Sequence, residues 1–240
     1  MKNKSKISII MASSLDGKIT LPNVEKFKFT SIQDRSLLLK MRSQYDCVII
    51  GANTVRKGGH PSLFESKNKN QNQPTNVLLN TNLKFNLKKN PYFEGDSIKR
   101  IIFTTKDTPK IILEKFGGFG KVIVVSKDEN KKVNVKQVYD ILTKKYGFKK
   151  ILLEGGGLLN QSFLRNDLVD DIYLTVCPII VGAKSSRSFV EGSDVIRKNV
   201  KKLKLINCKI GKFGEIFLHY NVEKNKKIKL VKKKFGWRME

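Results

Sequence analysis

Four short runs that hold almost no polar residue limit what this chain can become: Asp46 to Gly51, Val77 to Asn80, Arg100 to Thr104 and Lys121 to Ser126. A strand with one wet face alternates apolar and polar side chains, whereas a strand covered on both faces is apolar throughout. Such runs belong to a parallel sheet between layers of helices, because parallel neighbours are joined by helical crossovers. The intervening segments fit that plan. Ser31 to Ser43 places Leu37, Leu38 and Met41 at helical spacing behind a serine that can cap it, and Val135 to Tyr146 reads as another helix. Lys6 to Ala12 and Asp170 to Val176 add two further strands.

After Val190 the pattern changes. Val200 to Cys208 and Glu215 to Val222 alternate and meet around Gly211 and Gly214, which predicts an antiparallel hairpin at the sheet edge. Ser66 to Thr75, with its Lys-Asn-Gln repetition, reads as a surface loop. The expectation is one α/β domain over 1–222, followed by a basic extension over 223–240 in which Phe235 and Trp237 sit among lysines and an arginine.

Composition narrows the function classes. No apolar run approaches the roughly 20 residues that cross a bilayer. The basic start, Met1 to Lys6, is followed by too short an apolar run for a signal peptide, so the reading is cytoplasmic, with no membrane partner. Cys47, Cys177 and Cys208 lie far apart in apolar runs, which predicts buried free thiols. With only His60 and His219 beside them, no metal is expected. The net charge of +27 is nearly all lysine spread along the chain, and no nucleic-acid motif accompanies it. It reads as solvated surface that favours small anions.

The chemistry concentrates where strands end. Ile151-Leu152-Leu153 runs into Glu154-Gly155-Gly156-Gly157 and then a helix, so closely approaching backbone amides and a positive helix end can meet a pyrophosphate. Ser14-Leu15-Asp16-Gly17-Lys18-Ile19, Gly51-Ala52-Asn53-Thr54-Val55-Arg56 and Pro178-Ile179-Ile180-Val181-Gly182 follow other strands. Ligands of open α/β sheets bind beyond the carboxyl ends of strands, so these turns support one another.

In this order, together with Thr30-Ser31, Arg35, Arg42, Pro61-Ser62-Leu63 and Leu168-Val169-Asp170, the motifs resemble the reductase family of riboflavin biosynthesis. The resemblance runs from about Ser8 to Tyr220. It implies a three-layer, dihydrofolate-reductase-like fold and NADPH-dependent reduction of a ribosylamino-pyrimidine phosphate, by hydride transfer to C1′ of the ring-opened imine. It implies a homodimer too, for which the apolar stretch Val169 to Val176 is a candidate edge. The deaminase signature often found ahead of this reductase, His-x-Glu with Cys-x-x-Cys, does not occur in the sequence.

Carried over position by position, the resemblance makes Lys18 and Glu154 the catalytic pair near the reacting sugar. Gly51, Thr54, Gly155, Gly156, Gly157 and Leu158 would hold the cofactor. Ser14, Asp16, Asn53, Arg42, Pro61 and Leu63 would face the substrate, with the Arg42 fork on its phosphate. Lys106 and Lys127 are places to look for a 2′-phosphate contact. The sequence also departs from the family. Gly59-His60 stands where acidic residues are usual, Ser66 where an arginine is expected, and Phe27 where a serine is expected. Reduction of a pterin-like or unphosphorylated substrate therefore stays open, as does, more weakly, nucleic-acid binding.

Overall fold

The computed structural model describes residues 5–21, 29–65, 72–87, 90–192, 200–224, 230–233 and 236–239. In chain order they form β1 (Lys6–Ser14), α1 (Ile32–Ser43), β2 (Cys47–Gly51), α2 (Ala52–Arg56), β3 (Thr75–Leu79) and β4 (Arg100–Thr105). Next come α3 (Lys110–Gly117), β5 (Lys121–Val125), α4 (Val135–Asp140), β6 (Lys150–Leu153), α5 (Gly157–Arg165) and β7 (Asp171–Cys177). The hairpin β8 (Lys202–Ile210) and β9 (Ile216–Glu223) follows, and within 223–240 a small pair, β10 (Leu230–Lys233) and β11 (Gly236–Met239).

Nine strands make one sheet in the order β5-β4-β3-β2-β6-β1-β7-β9-β8. Seven of them, β5 through β7, run parallel, and β9 and β8 are each antiparallel to the preceding neighbour. The uniformly apolar runs have the expected cause. Along β2, Cys47 and Ile49 pack into the layer of α4 and α5, and Val48 and Ile50 into the layer of α1 and α3. Each such side chain, wholly or nearly withdrawn from water, contributes roughly 1.5–3 kcal/mol.

Three expectations need correction. The Val135–Tyr146 helix stops being α-helical at Asp140; Tyr146 donates its amide to Ile141 O at 3.2 Å, so the last turn is one residue wider. The stretch Val169 to Val176 is not an edge, because β7 lies between β1 and β9; the sheet's edges are β5 and β8. Cys208, on β8, is exposed, while Cys47 and Cys177 are buried. No helix among the described residues is long and apolar enough to cross a membrane.

Candidate active site

The turns after β1, β2, β3, β5 and β6 converge on a cleft of about 720 Å³. Its centre is the glycine turn. Gly51 N donates to Gly155 O at 3.0 Å, which ties the end of β2 to the end of β6. Gly155, joined to Gly156 by a cis peptide, has φ of +72°, and a Cβ there would lie 2.1 Å from Met11 Cε; this glycine faces the core. Gly156 and Gly157 line the cleft. Gly156 caps α5 without a side-chain partner and Leu159 N donates to Gly156 O at 2.9 Å, so the amides of Gly157 and Leu158 are the ones that can meet a ligand.

A segment from Ser186 to Gly192 closes one side. A Cβ on Gly157 would lie 2.2 Å from Ser188 O and 2.7 Å from Glu191 Cγ, so the backbone of this segment rests directly on the start of α5. Ile19 N donates to Arg187 O at 2.8 Å and Phe189 N to Gly17 O at 3.1 Å, which fastens the same segment to the turn after β1.

The structure brings Gly51, Asn53, Thr54, Gly156, Gly157 and Leu158 into the cleft wall and leaves Gly155 behind it. Asn53, assigned to substrate from the sequence, stands here on α2, where its Oδ1 accepts from Arg56 Nη1 at 2.9 Å. Residues to which the sequence reading assigned no ligand also line it: Thr20, Arg56, Lys57, Lys132 and Arg187. Arg56 was within reach of sequence reasoning, one helical turn beyond Asn53. Arg187 was not, since only the folded loop carries it to α5.

Glu154 and Lys18 do not share a partner. Glu154 accepts Arg42 Nε at 2.7 Å, Arg42 Nη2 at 2.8 Å and Ser62 Oγ at 2.8 Å, in a mostly buried setting. Arg42 Nη1 donates to Leu63 O at 2.9 Å, and Ser62 N donates to the buried Asn76 Oδ1 at 2.6 Å. Both carboxylate oxygens of Glu154 are engaged, and three of the five guanidinium N–H groups of Arg42 are spent, leaving two. Leu63 enters this network through its carbonyl, and Pro61 precedes it; neither lines the cleft. Lys18 Nζ lies 3.3 Å from Ser188 Oγ.

Ser14 and Asp16 serve the turn. Ser14 Oγ donates to Asp16 Oδ1 at 2.6 Å and accepts Lys18 N at 2.9 Å. Asp16 also accepts the amides of Val181 and Gly182 at 3.0 and 2.8 Å, pinning the loop after β7. The Ser14 hydroxyl and these two amides hold its carboxyl well below the usual range. The substrate-side departures are partly visible. A Cβ on residue 59 would lie 2.7 Å from Thr54 O, so this loop is folded around a glycine. Phe27 and Ser66 lie outside the described residues.

Asp34, on the first turn of α1, is buried against β7 and hydrogen-bonded to Thr175 and Thr30. Burial raises its pKa, and the nearby charge of Glu215 adds to the rise.

Comparison with known proteins bears on the family and the fold. Over 211 residues the chain is 31% identical to the 2,5-diamino-6-ribosylamino-4(3H)-pyrimidinone 5′-phosphate reductase of Aquifex aeolicus, covering 83% of this chain and 88% of that protein. It is 29% identical to the riboflavin biosynthesis protein RibD of Actinobacillus pleuropneumoniae, over 88% of this chain but 55% of that longer protein. Among solved structures, a pyrimidine reductase-like protein of Corynebacterium diphtheriae superposes with a TM-score of 0.76 at 25% identity, over 93% of this chain and 94% of that one. The fold is the dihydrofolate-reductase-like one of these reductases. Residues 5–215 match the RibD C-terminal domain, and the chain belongs to that family.

Proposed function

We propose that the protein reduces a ribosylamino-pyrimidine 5′-phosphate to its ribitylamino form with NADPH. The observation that carries this reading is the convergence of the α5 N-terminus, the Gly156-Gly157 cradle and cationic side chains in one cleft, whose wall includes Ile19, the neighbour of Lys18. A dinucleotide diphosphate fits that set of donors: α5 offers amides, Gly156 and Gly157 permit close approach, and Arg56, Lys57 and Arg187 supply charge. Bound there, the nicotinamide would supply the hydride that C1′ of the sugar accepts.

The chain's own residues would do the rest. For C1′ to accept hydride, the C1′–O4′ bond must break as the exocyclic nitrogen forms C=N, and O4′ must take a proton. Lys18 is the donor we assign to O4′, since its ammonium keeps N–H groups beyond the one facing Ser188. Glu154 acts through Arg42: it fixes the guanidinium so that the two unspent N–H groups can meet the substrate phosphate. This replaces the sequence-based assignment of Glu154 to proton transfer, because both its oxygens are already held.

The test is NADPH oxidation by the purified protein with the diamino and the deaminated pyrimidine phosphates, in wild type and Lys18→Ala. Turnover that the variant loses supports the assignment; NADPH binding without turnover on either compound refutes the substrate. A second reading, reduction of a pterin-like or unphosphorylated substrate, is favoured by the loop at Gly59, which packs against Thr54 O where the family usually carries acidic residues. Turnover of a dihydropterin in the same assay would select it.

Two further parts of the reading concern setting. Free cysteines fit a reducing compartment, and we place the reaction in the cytoplasm. We also infer a homodimer. Leu203, Leu205 and Ile210 of β8 share one sheet face with Ile216 of β9, and they are 40, 50, 75 and 37% exposed. An apolar patch of this kind on a sheet edge is a docking surface, and a second copy supplies a matching one.

A further inference from the structure

We propose that Arg56 is the residue that selects a 2′-phosphorylated adenosine, and so NADPH over NADH. The inference rests on the cofactor reading above and deepens it. Lys18 follows β1, and Ile19 and Thr20 line the cleft beside it, so the reacting end of a dinucleotide lies at β1. With the diphosphate on α5 above β6, the adenosine half must extend the other way, across β2 and β3 toward the turn after β5. Adjacent strands are about 4.8 Å apart, so that half of the cleft spans four spacings, on the order of 19 Å.

Arg56 stands in this half, at the end of α2, with Thr81 and Asn82 in the same wall. Its guanidinium is held on several sides. Nη1 donates to Asn53 Oδ1 at 2.9 Å, Nε lies 3.4 Å from Lys84 O, and its central carbon sits 5.1 Å from the centre of the Phe85 ring. Its fixed partners are an amide oxygen, a carbonyl and an aromatic face, and no ion pair involves it among the described residues. Three N–H donors remain, on a cation oriented before any ligand arrives. A planar fork without a carboxylate partner is suited to a phosphate monoester.

Arg187 in the cleft wall is ion-paired with Glu191 at 3.1 Å, and Lys57 is an exposed lysine with no described contact fixing its ammonium. Lys127 is paired with Asp107, and neither it nor Lys106 lines the cleft, so these two sequence candidates are set aside. Lys132 does line it, on the far wall beside Asp128, whose carboxylate accepts the amides of Asn130 and Lys132. Lys132 is a point charge on an exposed flexible stem, with no described contact fixing its ammonium. Asn53 is a positioning residue for Arg56 on this account.

Calorimetric titration with adenosine 2′,5′-bisphosphate and with 5′-AMP reads the contact directly, without turnover. Wild type is expected to prefer the bisphosphate, and Arg56→Gln to lose about 10- to 100-fold of that affinity while keeping its affinity for 5′-AMP. Arg56→Lys should fall between the two, and Lys127→Gln should keep the full preference. An equal loss for both ligands in Arg56→Gln, an unchanged preference there, or transfer of the effect to Lys132→Gln would overturn the assignment. Wild-type protein that binds NADPH but does not distinguish the two probes would overturn it as well. Failure of wild type to bind NADPH at all would instead overturn the cofactor reading.

Discussion

Arg42 Nε and Nη2 grip the two oxygens of Glu154 at 2.7 and 2.8 Å, so one side chain of α1 is fixed to the residue that ends β6. With side chains only 17 and 13% exposed, neither charge has much water to fall back on. Arg42→Ala strands the carboxylate and is expected to cost about 2–4 kcal/mol, toward the lower part of the range for buried pairs because some exposure remains. Glu154→Gln, which keeps the shape and part of the hydrogen bonding, is expected to cost less, about 1–2 kcal/mol. Urea denaturation of both variants measures this; equal costs would mean that the charge pairing is immaterial.

The glycines of the turn should not be equivalent. A Cβ on Gly156 would meet nothing nearer than Ile19 Cδ1 at 3.9 Å, whereas one on Gly157 would overlap Ser188 O. Gly156→Ala is therefore expected to fold and melt like wild type, while Gly157→Ala displaces the Ser186–Gly192 segment. Limited proteolysis of that segment is the readout, and identical cleavage rates in the two variants would contradict the packing.

Asp34 gives a pH dependence with a definite sign. Burial raises its folded-state pKa above the ordinary carboxylate value, with Glu215 adding to the rise and hydrogen bonds from Thr175 and Thr30 opposing it. Between the unfolded and the folded pKa the folded chain binds more protons, so this group's contribution falls as pH rises through that window. Below the unfolded value the penalty is absent. Asp34→Asn removes the titration, and its stability relative to wild type is expected to improve as pH rises from the ordinary carboxylate pKa through the raised folded-state pKa, and to stay constant above it. A stability difference that stays constant with pH would show that this carboxyl does not titrate anomalously.

The β8 edge can be tested by its association state. Leu205→Glu combined with Ile210→Glu places charges on the exposed apolar face and should convert a dimer to a monomer in light scattering after gel filtration. A monomeric wild type at micromolar concentration would refute the proposed use of this face.

How much of this was legible beforehand depends on the range of the interaction. The strands and the two-sided cover of β2 follow from local pattern, since burial on both faces demands an apolar residue at each position. The Ser31 cap was legible for the same reason: its Oγ accepts the amides of Gln33 and Asp34, within its own turn. Arg42 and Glu154, by contrast, are 112 positions apart. A motif can mark each as important without saying that they bind one another.

The sequence alone determined the layered α/β plan, the antiparallel close of the sheet and the glycine turn that faces the cleft, all written in side-chain periodicity and backbone freedom. Only the tertiary structure decided that Glu154 holds Arg42, that Asp16 pins the loop after β7, that β8 and not β7 is an open edge, and that Arg56 and Arg187 join the cleft. The physical reason is that a charged side chain's role is set by the nearest group of opposite polarity once both lose water, and that neighbour is chosen by strand order, which local pattern does not encode.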